Sequence, residues 1–201
     1  IGLDGSKLDI VLMQLVKLVK DGEIVKMSKR TGKAIQLSDL LDEVPVDSAR
    51  FLFNMREPSS QMEFDLDLAI KQDSQNPVYY VQYAHARICS IIKALKQEEI
   101  EPISCSDAQL LLLNKQEEID LINHLSVYTS EIINSAKDYD PARITRYVIN
   151  LATLFHKFYN SCRVKCDDNN LMQARLTLCI CVQTVIRNVL SMFKIDIPES
   201  M

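Results

Sequence analysis

A mainly α-helical fold, an antiparallel helical bundle behind a short α/β segment, is what this sequence predicts, and three observations carry the prediction. The chain has only four glycines in 201 residues and no tryptophan, and its excess of Leu, Ile, Val, Lys, Glu and Gln favours helix over sheet. From Pro77 onward, apolar residues recur at three-four spacing in long runs, the period of a one-sided helix. Ahead of them, a β-branched stretch closes on Asp21-Gly22, a dipeptide suited to the positive backbone angles of a tight hairpin turn.

Element by element, Leu8 to Val19 reads as strand and Glu23, Ile24 and Val25 as its hairpin partner. Leu37 to Val44 reads as a short helix stopped near Pro45, and Val46 to Arg56 as a second, with Asp47 at its N-terminus and Pro58 beyond its end. Met62, Phe64, Leu66 and Leu68 alternate with acidic residues as in a short strand, followed by a helical turn from about Asp67 to Gln72. Asp73 to Pro77 is polar and breaks the pattern, so the chain divides into 1–72 and 73–201. Asn76 is a good N-cap with Pro77 at the first helical position, and Val81, Ala84, Ile88, Ile91 and Leu95 form the apolar stripe. Asp107 opens a leucine-dense helix, and Ile119 to Ala136 continues with Ile119, Ile122, Leu125 and Ile132 or Ile133 inward. Two more helices carry Ile144, Val148, Leu151, Phe155, Phe158 and Cys162, then Leu171, Ala174, Leu178, Val182, Val185 and Val189. Short connections between them make the packing antiparallel.

Bulk properties narrow the function. A net charge of −4 and a pI near 5.4 argue against a general nucleic-acid-coating protein, but a local basic patch is still compatible with RNA contact. No uncharged apolar stretch reaches the roughly 18 residues of a membrane span, so a soluble, cytoplasmic chain without membrane partners is expected. The six cysteines lack Cys-x-x-Cys spacing and read as ordinary thiols of a reducing compartment, with no metal site. The chain starts at Ile1 in what looks like the middle of a strand system, so an excised piece is expected.

Two strings carry chemistry. Lys26, Met27, Ser28, Lys29 and Arg30 run into Thr31 and Gly32, placing two lysines three apart in a small-residue loop. Flexible ammonium groups suit a polyphosphate whose oxygens gain charge in a transition state, although a solvated surface loop has the same composition. The string resembles the Lys-Met-Ser-Lys-Ser signature of class I aminoacyl-tRNA synthetases, matching four of its five letters with Arg30 in place of the last serine. The second string, Asn76 to Arg87, sets Tyr79, Tyr80, Tyr83, His85 and Arg87 on the first bundle helix. Tyr80, Tyr83 and Arg87 share one side, an arrangement for stacking unpaired bases, or alternatively for packing at a core edge.

Together the strings resemble the arginyl-tRNA synthetase family, in which a Tyr-x-Gln-Tyr-Ala-His-x-Arg segment opens a DALR-type anticodon-binding bundle. Asp47 to Phe51, Phe64 to Leu68, Phe155 to Asn160 with Arg163 and Val164, and the ending Pro198 to Met201 fit the same family. The resemblance implies that 1–72 is the C-terminal remnant of a class I Rossmann-like α/β catalytic domain and 73–201 the anticodon-binding domain. It further implies ATP binding by Lys26, Met27, Ser28, Lys29 and Arg30, with Lys26 and Lys29 catalytic and Lys29 steadying pyrophosphate. Contact with tRNA falls to Tyr80, Tyr83, Arg87, Phe155, Tyr159 and Met201. The implied partners are arginine tRNA, ATP with Mg2+, and arginine in a full-length, monomeric ligase; the partner His-Ile-Gly-His-type motif is absent here, so this piece is expected to be inactive alone. A free-standing, non-catalytic tRNA-binding module and a plain helical scaffold are the competing readings. His85 reads as a packing or hydrogen-bonding residue, and His124 and His156 have no partner at a diagnostic spacing. Arg143 and Arg146 read as solvent-side cations available to phosphates.

Overall fold

A computed structural model describes residues 2, 4–25 and 36–201. The lysine loop, including Lys26, Met27, Ser28, Lys29 and Arg30, lies outside the described residues.

The N-terminal part is a small α/β unit. Strand β1 (Val16–Lys20) pairs antiparallel with β2 (Glu23–Ile24) across a turn in which Asp21 and Gly22 both have positive φ, 53° and 75°. Both residue types tolerate that region. Helices α1 (Leu37–Glu43) and α2 (Val46–Phe53) follow, then β3 (Met62–Asp65), which lies parallel to β1 so that the sheet order is β2-β1-β3. Met62 and Phe64 point inward while Glu63 and Asp65 face water. They pack with Leu40, Val44, Ala49, Leu52, Leu66 and Ala69 in a core of their own. The strand expected from Leu8 begins only at Val16, and Leu8, Ile10, Leu12 and Leu15 are exposed.

A one-turn helix, α3 (Leu66–Ala69), leads to the junction. There Asn76 caps the next helix by accepting from the Val78 N–H, and its buried amide donates to Ser48 Oγ and to the carbonyls of Ala69 and Lys71. One side chain thus ties the α/β unit to the bundle.

The bundle comprises α4 (Pro77–Gln97), the short α5 (Asp107–Leu110), α6 (Gln116–Ser126), α7 (Tyr128–Asp138), α8 (Ala142–Ser161) and α9 (Asn169–Met192). Its core runs from Val81, Ala84 and Ile88 through Val148, Leu151, Phe155 and Phe158 to Leu178, Val182, Ile186 and Val189. By length and composition α9 is apolar enough to cross a membrane, but here its apolar side is the bundle core. Three turns end in left-handed residues that are not glycine: Glu99 (φ 60°), Tyr139 (φ 51°) and Lys194 (φ 55°). In each case the next N–H reaches back to the preceding helix or its end: Ile100 to Leu95, Asp140 to Ser135 and Ile195 to Leu190, the wrap of a Schellman-type stop.

The middle of the bundle departs from the expected pattern. The leucine-dense segment forms only the one-turn α5, and the expected run Ile119 to Ala136 breaks at Val127 into α6 and α7. Ile119, Ile122 and Ile133 are exposed, while Leu121 and Glu118 are fully buried. The reason is an ion pair: Glu118 Oε1 accepts from Arg175 Nε at 2.7 Å, and its Oε2 accepts the Lys115 N–H at the start of α6. A carboxylate committed to the interior turns the helix to suit it.

Candidate nucleic-acid interface

Helices α4 and α8 lie side by side, so that the aromatic residues of one meet those of the other. Arg87 sits between two phenol rings, its guanidinium carbon 4.7 Å from the Tyr83 ring centre and 4.5 Å from that of Tyr159. Its Nη2 also donates to Tyr83 Oη. Each cation–π contact contributes about 0.5–1 kcal/mol at an exposed site; together they hold a planar cation that stays half-buried. Tyr159 stays 38% exposed. Tyr83, Arg87, Tyr159, Ser200 and Met201 line one groove of about 380 Å³.

Tyr80 lies one turn back along α4, with its ring 4.8 Å from the His156 ring, and His156 is also 5.8 Å from Tyr83. Tyr83 therefore links two aromatic clusters. Burial, and next to it the Arg87 charge, hold the His156 imidazole below its usual value of 6.5, so it stays neutral and its ring serves as a packing surface. Sequence spacing missed His156, although its place within Phe155-His156-Lys157-Phe158-Tyr159 was a usable signal.

Of the expected tRNA residues, the structure brings Tyr83, Arg87, Tyr159 and Met201 to one groove and sets Tyr80 beside it. Phe155 is different. It is fully buried, with its ring 6.2 Å from Tyr159 and 5.7 Å from His156, so it props up the platform and offers no face to a base. The apolar period of α8 that puts Phe155 in the core accounts for this. Arg143 and Arg146 lie on the solvent side as expected, with side chains 36% and 52% exposed, and each meets acids of this chain: Arg143 pairs with Glu131 and Asp138, and Arg146 with Asp140 and Glu57. Their acids lie on α7, the loop after it and the turn before β3, which makes the pair intramolecular ties.

Met201 reaches the groove because the segment after α9 is fastened back over α4 and α2. Gln82 Nε2 donates to the Asp196 carbonyl at 2.9 Å and to Asp47 Oδ2 at 3.1 Å, and that same carboxylate oxygen accepts the Asp196 N–H at 3.2 Å. His85 Nδ1 lies 3.0 Å from the Pro198 carbonyl, and the Arg50 guanidinium donates to the Lys194 carbonyl. For that bond His85 carries its proton on Nδ1; burial keeps the imidazole below its usual value of 6.5. His85 was expected to pack or hydrogen-bond, and it does both.

Residues 81–201 match the family model of the DALR anticodon binding domain. The chain belongs to that family. The match runs from the second turn of α4 through α9 and takes in the groove residues Tyr83, Arg87, Tyr159 and Met201. Among curated relatives, the chain is 55% identical over 201 residues to the arginine–tRNA ligase of Caldanaerobacter subterraneus subsp. tengcongensis and 51% identical to that of Ruminiclostridium cellulolyticum; each alignment takes in 100% of this chain. The chain spans 36% of the length of either relative. An arginyl-tRNA synthetase structure from Campylobacter jejuni superposes with a TM-score of 0.84 at 32% identity, covering 100% of this chain and 42% of that one. The Thermus thermophilus arginyl-tRNA synthetase gives 0.69 at 21% identity, over 92% of this chain and 34% of that one, and shares the fold. The mainly helical DALR architecture expected from sequence is the one observed.

Among the described residues, no group of three or more His, Cys, Asp or Glu side chains is arranged to hold a metal ion. Cys162 and Cys179 are buried in the core, where burial pushes the Cys179 thiol up to about 12.

Proposed function

We propose that this chain is the C-terminal part of an arginine–tRNA ligase, a cytoplasmic, monomeric enzyme that activates arginine with ATP and Mg2+ and transfers it to its tRNA. In this reading residues 1–72 close the catalytic domain and residues 73–201 grip the anticodon loop. The observation that carries it is the groove of Tyr83, Arg87, Tyr159 and Met201 within a DALR domain. Unpaired anticodon bases find aromatic faces there, and the guanidinium supplies donors for base edges or phosphates. Tyr80 extends the surface and Phe155 supports it from below.

Lys26, Met27, Ser28, Lys29 and Arg30 are the proposed phosphate-handling segment. Lys29 would neutralise the departing pyrophosphate as the adenylate forms, and Lys26 would hold the ATP phosphates, with Mg2+ sharing the charge. Support comes from the four-of-five match of the string itself. The test is a titration of the chain with arginine tRNA and with the same tRNA carrying a scrambled anticodon. Tighter binding of the first by tenfold or more is expected. Equal affinity would refute anticodon recognition and leave a helical scaffold.

A further inference from the structure

The surface between α4 and α8 continues past the groove of Tyr83 and Arg87. A second cavity, of about 600 Å³, shares Ile91, Ala94 and Tyr159 with it, and its size falls within the range of small-ligand sites. Along α4 the groove is lined from Tyr83 to Ala94 and the cavity from Ile91 to Glu98, a shift of roughly 6–12 Å, or one to two helical turns. The cavity's floor is apolar: Leu95 and Val164 are buried there beside the half-buried Ile91. Its rim is polar and mostly cationic. Arg163 is exposed and pairs with no acid among the described residues, and its carbonyl accepts from Arg175 Nη1 at 2.7 Å. Because Arg175 is itself held by the buried Glu118, the Arg163 side chain projects from a fixed point. Lys165 Nζ donates to both carboxylate oxygens of Glu98, at 2.7 and 2.5 Å. Both members of that pair are exposed, so parting them costs little.

We propose that this cavity is a second nucleotide subsite: a neighbouring nucleotide of the single-stranded loop held by the groove places its base over Ile91, Leu95 and Val164 and its phosphate against Arg163 and Lys165. The proposal rests on the anticodon-binding reading for the identity of the RNA, and continuity through Tyr159 supplies the path from one subsite to the next. Each part of a nucleotide meets matching chemistry. The base finds an apolar floor and the Asn160 amide, which offers a donor and an acceptor to its edge. The phosphate finds an unpaired guanidinium and an ammonium. Glu98 occupies that ammonium in the free protein, so the arriving phosphate takes the place of the carboxylate. On a chain of net charge −4, this local row of Arg87, Arg163 and Lys165 is what draws the strand along.

The test titrates an anticodon stem-loop of arginine tRNA against the parent chain, Arg87→Ala, Arg163→Ala, Arg163→Lys, Glu98→Gln and Glu23→Gln at several salt concentrations. Arg163 and Glu98 are exposed, so their variants should keep the parental urea midpoint. Arg163→Ala is expected to weaken binding by about fivefold and to lower the slope of log affinity against log salt by about one, whereas Arg163→Lys should keep the slope. Glu98→Gln releases Lys165 and should tighten binding by about twofold to fivefold, the worth of an exposed ion pair. Glu23→Gln makes the same change in net charge on β2 and should bind as the parent does. A 4-thiouridine moved one position at a time through the loop should crosslink from one position to the peptide of Tyr83 to Arg87, and from a nearby one to the peptide of Asn160 to Lys165. Parental affinity and salt slope in Arg163→Ala and Glu98→Gln, with Arg87→Ala impaired, would overturn the second subsite and leave the anticodon reading standing. Equal tightening by Glu98→Gln and Glu23→Gln would overturn the part given to Lys165. A parent chain that binds no stem-loop would overturn the anticodon reading and, with it, the occupant of the cavity.

Discussion

Replacing Glu118 by alanine is expected to destabilise the chain by about 3–5 kcal/mol, the usual cost of stranding one member of a buried ion pair. Glu118 is 0% exposed, and its partner Arg175 is 5% exposed. The 2.7 Å bond to Arg175 Nε and the acceptor for the Lys115 N–H disappear together, the latter a capping loss on the order of 1 kcal/mol. For a chain of this length, such a loss lowers Tm by about 6–20 °C. The contrast within the molecule is the Lys20–Glu43 pair, 2.9 Å apart with side chains 51% and 59% exposed, whose removal should cost less than about 1 kcal/mol. Combining Glu118→Leu with Arg175→Met removes both charges at similar volume and should recover most of the stability lost by the single variant. Urea unfolding followed by circular dichroism measures all four proteins. A Glu118→Ala cost no larger than that of Glu43→Ala would refute the reasoning, because it would mean that water reaches the pair. Arg175 Nη1 also donates to the Arg163 carbonyl at 2.7 Å, a bond that the double variant loses as well.

Other outcomes follow from the same geometry. Both His85 and His156 are held below their usual value of 6.5 by burial, so the unfolded chain binds protons first and stability should fall as pH drops below about 6.5; urea midpoints at pH 7.5 and 5.5 should differ in that direction, and less so in His156→Phe. Glu99→Gly relieves a left-handed residue at the turn after α4 and should raise stability by about 1 kcal/mol, read as an increased Tm; a decrease would mean that the Glu99 side chain stabilises the turn. If the proposed ligase reading holds, Lys29→Ala in the longer protein should raise the barrier to adenylate formation by about 2–4 kcal/mol, and an unchanged single-turnover rate would remove Lys29 from the proposed mechanism.

The long helices were legible because their apolar period persists: α4, α8 and α9 each repeat a buried residue every three or four positions, and Asn76, Asp21 and Gly22 mark a cap and a turn by residue type alone. The region between Asp107 and Asp138 was less legible for two reasons. Leu110 to Leu113 offers apolar residues without a period, and the inward side of α6 is marked by Glu118, which a hydrophobic pattern counts as solvent-facing. Within the site, Tyr80, Tyr83 and Arg87 could be placed from spacing along one helix. Their neighbours His156 and Tyr159 come from another helix about seventy residues away, and no local period reveals such a pairing. The ties from Asp47 and Arg50 to the tail span 149 and 144 residues, and only the fold brings them together.

Photo-crosslinking from a thio-substituted nucleotide in the anticodon loop, with the attached peptides identified by mass spectrometry, tests the central claim most directly. Crosslinks to peptides containing Tyr83 to Arg87, Tyr159 and Met201 are predicted, and Arg87→Ala should abolish them while weakening binding by about 1–3 kcal/mol. Crosslinks confined to the exposed faces of α6 and α7, unaffected by Arg87→Ala, would contradict the account.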